Sequence, residues 1–296
     1  MWGAKGHFLV NSQAAESMPD EMPPFFREAA DRLGVLGAHP DRLRFRALRH
    51  LNNANAVDHY MNSELLQGRE APRDRYGYAL LLKELEPDNN QPQKAGTLPY
   101  KIAEMYETLV AEFTLYRKEL ARSGPDSPLT RQFQENAIYT AGMLGHFVAD
   151  ATQPLHATVH HDGWDESREP NPEGFRTKPG LHSQFETRLV DRQVESEAVA
   201  ERISEPRRWE GDPLQWGLGL VRESQSLVRD LYTYEKNGEL SPSEPSPRGL
   251  ELAVGRIARG AEVLRDLWYT AWLRSGELAS QEDPSQDYLL AAANRG

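Results

Sequence analysis

His146-Phe-Val-Ala-Asp150-Ala-Thr-Gln-Pro-Leu-His156 sets three metal-ligating residue types into eleven positions. An α-helix turns once every 3.6 residues, so His146 and Asp150, four apart, project from one face. Pro154 cannot continue that helix, and the turn it starts can bring His156 back toward the same face. His182 and Glu186 repeat the four-residue spacing about one element later. Imidazole nitrogen and carboxylate oxygen are donors that zinc accepts in catalytic sites. Two His-x-x-x-acid pairs plus a third His point to a metal cluster rather than a single ion.

Outward from this stretch the chain reads as helix. Leu98, Ile102, Met105, Leu109, Phe113, Tyr116 and Leu120 recur at spacings of three and four, an amphipathic stripe. Leu250, Val254, Ile257, Ala261, Leu264 and Trp268 repeat the pattern. Further helices are expected over about 7–18, 23–36, 73–86, 129–151, 179–195 and 213–235. No alternating strand of useful length is evident. The expected architecture is all-α, one compact multi-helix domain over 1–278, followed by a loose tail over 279–296. The Gly/Pro-rich stretch 162–180 lies between the two ligand pairs, where a long loop forms the rim of an active site.

Composition narrows the chemistry. The chain has 296 residues, 39% of them hydrophobic, enough for a sizeable core. No apolar run approaches the roughly 18 residues of a transmembrane helix. A formal charge of −11 argues against a broad basic surface tracking duplex phosphates. There is no cysteine, so thiolate metal sites are excluded and any zinc must rest on His, Asp and Glu. Nothing in the sequence calls for a protein partner.

Two further places can complete a ligand set. Asp58-His59-Tyr60-Met-Asn62 follows Asn52 to Ala56, which reads as irregular and suits a residue presented from a loop. Asp41 follows Pro40 and opens the basic stretch Asp41-Arg-Leu-Arg44, where the bland alternative is a helix N-cap. For Arg44 the bland alternative is a solvated helix residue. His39, His50, His160 and His161 have no partner at helical ligand spacing.

In order along the chain, these residues resemble the trinuclear-zinc superfamily of single-strand-specific nucleases and zinc-dependent phospholipases C. The resemblance runs from Trp2 to Glu186; the remainder adds only helical character. It implies that fold type and three Zn2+ ions. One would be held by Asp41, His59, His146 and Asp150. A second would be held by His7, bridging Asp150, and the amino nitrogen and carbonyl of an N-terminal Trp2. The third would be held by His156, His182 and Glu186. Two ions bridged by Asp150 would lower the pKa of a shared water and supply the nucleophile, while the third binds the phosphate. Arg44 matches the arginine that supports the charged phosphorus centre.

The start Trp2-Gly-x-x-Gly-His7 resembles the nuclease branch, so single-stranded nucleic acid, and with it 3′-nucleotides, is the leading substrate. Lys5 stands where the phospholipase branch has a Glu for choline. Glu186, by contrast, is phospholipase-like, since nucleases usually have Asp there. Tyr60 would stack on a base, and Asn62 replaces an Asp that hydrogen-bonds it. Phospholipid is the alternative substrate, and a catalytically silent metal-binding protein the alternative of a different class. The resemblance also implies a secreted or periplasmic protein whose leader is removed to expose Trp2, with Met1 added in its place.

Overall fold

The computed structural model describes residues 2–86 and 92–281. Helices make up the fold, and among the described residues the sole β-type pairing is an isolated bridge between His161 and Gly163. The all-α expectation therefore holds. No described helix is long and apolar enough to cross a membrane. The last helix runs Pro247–Ala279, to the edge of the expected tail. The rest of that tail, from 282 on, lies outside the described residues.

Three helices make the frame. Leu98–Ser123 and Pro128–Ala151 form a hairpin, reversed at Gly124, whose φ of 79° suits glycine. Pro247–Ala279 packs along both. The stripe Leu98, Ile102, Leu109 and Phe113 meets Leu264, Trp268 and Ala271 in one buried core. Ala4–Glu16 lies across this frame, against Pro247–Ala279, Ala30–Leu36 and Pro128–Ala151.

Close approach here depends on small residues. A Cβ on Gly145 would lie 2.0 Å from Asn11 Oδ1, and one on Gly142 2.4 Å from Leu36 Cβ. Asn11 is fully buried, and its Nδ2 donates to the carbonyls of Leu33 (2.8 Å) and Gly142 (3.0 Å). One side chain thus ties three helices together one turn beyond His7 and beside His146.

Several boundaries differ from expectation. The 23–36 segment breaks into Pro24–Arg27 and Ala30–Leu36, which lets Phe26 reach Phe113 and Trp268 while Leu33 is buried separately. The 213–235 segment splits into Pro213–Gln225 and Val228–Lys236, with Ser224 turned inward to donate to the Ala151 carbonyl (2.6 Å). Asn52 to Ala56 is not irregular: Arg49–Ala56 is a helix. It buries no residue, so no core-facing stripe of apolar side chains marks it in the sequence. Asp41 lies inside the short helix His39–Arg42, whose N-cap is Ala38, so the N-cap alternative fails.

Gly145→Ala should force Ala4–Glu16 away from Pro128–Ala151. The expected loss is about 2–3 kcal/mol, or roughly 5–10 °C in Tm. Thermal unfolding followed by circular dichroism checks it; an unchanged Tm would mean that the helices are not in this contact.

Candidate metal centre

The final turns of Pro128–Ala151 carry His146 and Asp150 into the interior, both fully buried. The helix end is closely accounted for. Trp2 Nε1 donates to the Ala149 carbonyl (2.9 Å), Ser224 caps Ala151, and Arg256 Nε donates to the Thr152 carbonyl (2.8 Å). Pro154–His156 is a 3-10 turn that returns His156 to the cluster, with its Nδ1 3.4 Å from Asp150 Oδ1. His182 and Glu186 sit on Leu181–Ser183 and the π-helical turn Gln184–Leu189, the kind of helix irregularity that recurs at functional sites.

Three donor groups result, each with ligand atoms within 4.8 Å of one another: Asp41, His59 and His146; His7, His146 and Asp150; His156, His182 and Glu186. In the first, Asp41 Oδ1 is 3.4 Å from His59 Nε2 and 3.9 Å from His146 Nε2. In the second, Asp150 approaches His7 Nε2 at 3.5 Å and His146 Nε2 at 3.3 Å, and the two imidazoles stack at 3.9 Å. In the third, Glu186 Oε2 is 2.8 Å from His182 Nε2 and 3.9 Å from His156 Nε2. Trp2, fully buried against Phe185, adjoins the second group through its bond to Ala149.

The donor chemistry fits metal ions. Four imidazoles turn Nδ1 to a backbone carbonyl: His59 to Asn55 (2.7 Å), His146 to Gly37 (2.8 Å), His156 to His59 (2.5 Å) and His182 to His161 (2.8 Å). Such a bond places the proton on Nδ1 and leaves the Nε2 lone pair for a ligand. Both nitrogens of His7, Nε2 of His59 and His146, Oδ1 of Asp41 and both oxygens of Asp150 are buried without a hydrogen-bond partner. A buried carboxylate with neither oxygen satisfied is costly, more so in the last turn of a helix, where the dipole is negative. Cations on these atoms would remove that cost.

Beside the first and third groups opens a cavity of about 730 Å³, lined by His59, His156 and His182 together with Arg44, Tyr60 and Asn62. Both expected base-contacting residues also hold the wall: Tyr60 donates its hydroxyl to the Gln93 carbonyl, and Asn62 Nδ2 donates to that of Lys94 (2.6 Å). The rim expected from 162–180 is present, since Asp165, Ser167 and Arg168 line the cavity, and Arg168 pairs with Glu86 (2.7 Å). Lys5 is not among the lining residues. It donates to the Asp191 carbonyl (3.3 Å) and lies 3.8 Å from Glu195, so its charge says little about the substrate.

Sequence reading missed two supports. Gln153, fully buried, donates to Glu186 Oε2 (3.1 Å) while its own oxygen accepts from Leu155 N (2.6 Å). Asp162 Oδ1 accepts from the backbone of Gly180 (2.8 Å) and His182 (2.9 Å) and so sets the start of the His182 helix. Gln153 lies within the opening motif, but a side chain that acts by bonding to its neighbours has no periodicity to betray it.

No protein-family model matches the chain. It is 25% identical over 210 residues to a probable serine protease of Bradyrhizobium tropiciagri, a match covering 61% of this chain and 24% of that protein. Among solved structures it is similar to the alpha-toxin of Clostridium perfringens, with a TM-score of 0.39, 11% identity, and 94% of this chain against 65% of the toxin covered. The alpha toxin of Clostridium absonum gives a TM-score of 0.37 and 12% identity over the same shares. The chain thus spans about a quarter of the curated relative and just under two thirds of the toxins. Similarity at this level assigns no activity. The serine lining the cavity, Ser167, gives its hydroxyl to Asp165 (2.6 Å) and not to a histidine, unlike the nucleophile of a serine protease.

Burial, with His146 alongside, holds His7 well below its ordinary 6.5; burial, with His182, does the same to His156. Burial also works to lower His146, but Asp150 outweighs it and raises that imidazole. At Asp41 burial works upward, and the neighbouring His59 imidazole, with His146, brings the carboxyl down. His7 and His156 therefore take up protons more readily unfolded, which lowers stability as pH drops below 6.5. The depressed Asp41 carboxyl adds to the loss at lower pH, while the raised His146 opposes it. The Tm of metal-free protein should fall steadily from pH 7 to pH 5 in a differential scanning series. A rise over that interval would contradict neutral, buried imidazoles.

Proposed function

We propose that the chain is a hydrolase of phosphoric esters that works with three zinc ions and cleaves single-stranded nucleic acid. The carrying observation is that the first and third His/carboxylate groups line one cavity through His59, His156 and His182, the second meeting them at His146 and 3.4 Å from His156, with donor atoms at Asp41, His59, His146, Asp150 and His7 otherwise orphaned. Asp41, His59, His146 and Asp150 would hold one ion; His7, Asp150 and the backbone of Trp2 a second; His156, His182 and Glu186 the third. Zinc there would supply Lewis acidity, activating water and polarising the phosphoryl group. A free Trp2 amine requires removal of Met1, since an amide nitrogen is a poor ligand.

The chain's own residues do the rest. Arg44 offers a planar guanidinium to the equatorial phosphate oxygens. Lys94, also on the wall, adds a second basic group beside Arg44 that suits a polyanion. Tyr60 supplies a face for a base, and the amide of Asn62 a polar edge beside it. Asp150 lies between the His7 and His146 imidazoles, and Gln153 fixes the rotamer of Glu186.

A phospholipid substrate is the second reading. Glu186 favours it, and Lys5, 3.8 Å from Glu195 and absent from the cavity wall, does not weigh against it.

Protein beginning at Trp2 should cleave a single-stranded oligodeoxynucleotide, stop on addition of chelator, and recover with zinc. Phosphatidylcholine assayed alongside decides between the readings: chelator-sensitive cleavage of the lipid alone would move the chain to the phospholipase side. Asp41→Asn should lower kcat/KM by about 10²-fold or more and reduce zinc per chain measured by plasma mass spectrometry. Unchanged zinc content and unchanged rate would remove Asp41 from the site.

A further inference from the structure

From Arg42 to Val57 the chain contains four arginines and no Asp or Glu, within a protein of net charge −11. Arg44 and Ala56 both line the cavity, so the backbone leaves the cavity wall at one and returns to it at the other. Every residue from 45 to 51 between them is exposed. Phe45 is 60% exposed, Leu48 54% and Leu51 38%, and the Arg49–Ala56 helix buries none of its residues. A helix with no core face gains nothing from tertiary packing, and three large apolar tips displayed together mark an interaction surface.

We infer that residues 42–56 dock the mouth of the cavity on an anionic lipid surface. Leu48 and Leu51 are three apart and, with Phe45, supply the apolar tips that enter the headgroup boundary. Arg42, Arg46 and Arg49 supply the charge that meets acidic headgroups. Interfacial helices combine these two features. Charge decides among occupants. A second copy would bring the same arginines against these. A single-stranded nucleic acid would match the arginines, but two of the three apolar tips are leucines, which have no π-face for a base. The inference goes beyond the proposed function and depends neither on the metals nor on the ester cleaved.

The test is co-sedimentation of the full, zinc-loaded chain with vesicles of phosphatidylcholine, with and without about 30% phosphatidylserine. The chain should bind the anionic vesicles, ignore the neutral ones, and be released by about 0.5 M salt. Arginines near a charged bilayer contribute roughly fivefold each, so Arg46→Glu with Arg49→Glu should lower partitioning more than tenfold. Phe45→Ser with Leu48→Ser should also abolish it while net charge stays constant. None of these four residues lines the cavity, so hydrolysis of a small soluble phosphodiester should be unchanged in both variants. That soluble assay reports the proposed function separately, and vesicle binding without it would leave the surface intact and the activity refuted. Three outcomes overturn the inference. One is no preference for anionic vesicles. Another is binding of a single-stranded oligonucleotide, lost in the arginine variant, with vesicles of both kinds unbound. The third is self-association by light scattering, abolished by the Phe45/Leu48 variant.

Discussion

A buried carboxylate with no hydrogen-bond donor, at the wrong end of a helix dipole, is the constraint around which the molecule is organised. Asp150 is fully enclosed, and both of its oxygens lack a hydrogen-bond partner. Burying such a group without a partner is costly, and the last turn of Pro128–Ala151, the negative end of the helix dipole, adds its own repulsion. What surrounds Asp150 is a shell of imidazoles: His7, His146 and His156 come within 3.3–3.5 Å. Those rings are neutral by virtue of their own burial, except His146, which the carboxylate favours in its charged form. Protein groups alone leave this centre short of positive charge.

The frame serves that centre by closing the helix end without spending donors on Asp150. Ser224 and Arg256 take the exposed carbonyls at Ala151 and Thr152, and Trp2 takes Ala149. Asn11 and Gly145 then bring the first helix close enough for His7 to stack on His146. The N-terminal segment, the ligand-bearing helix and the long last helix therefore meet at one point. A change in their spacing would be felt by the site before it was felt by the surface.

Much of this was legible from spacing. The Leu98–Leu120 and Leu250–Trp268 stripes announced the two helices that flank Pro128–Ala151, because their apolar residues face a core continuously. Pro154 announced the turn that returns His156, because a missing N–H stops a helix whatever surrounds it. Arg49–Ala56 was illegible for the opposite reason: with nothing buried, it has no run of large apolar residues facing a core. The breaks within 23–36 and 213–235 were equally hidden, since they answer to where Phe26 and Ser224 must point. Residues that bring the donor groups together could be named from their order in the chain. Gln153 and Asp162, which steer Glu186 and His182, could not, because their role is defined by atoms that only folding brings near.

The carbonyl anchors of the imidazoles have a kinetic meaning. His59, His146, His156 and His182 are each oriented by a main-chain oxygen, from Asn55, Gly37, His59 and His161 respectively. None of those anchors depends on a bound ion, so little ring motion accompanies arrival or departure of a cation. The entropy of ordering the ligands is then charged to folding and not to loading. A cation reaching such a centre would meet donors already oriented within a folded shell, so its loading would be governed by access and ligand exchange rather than by refolding.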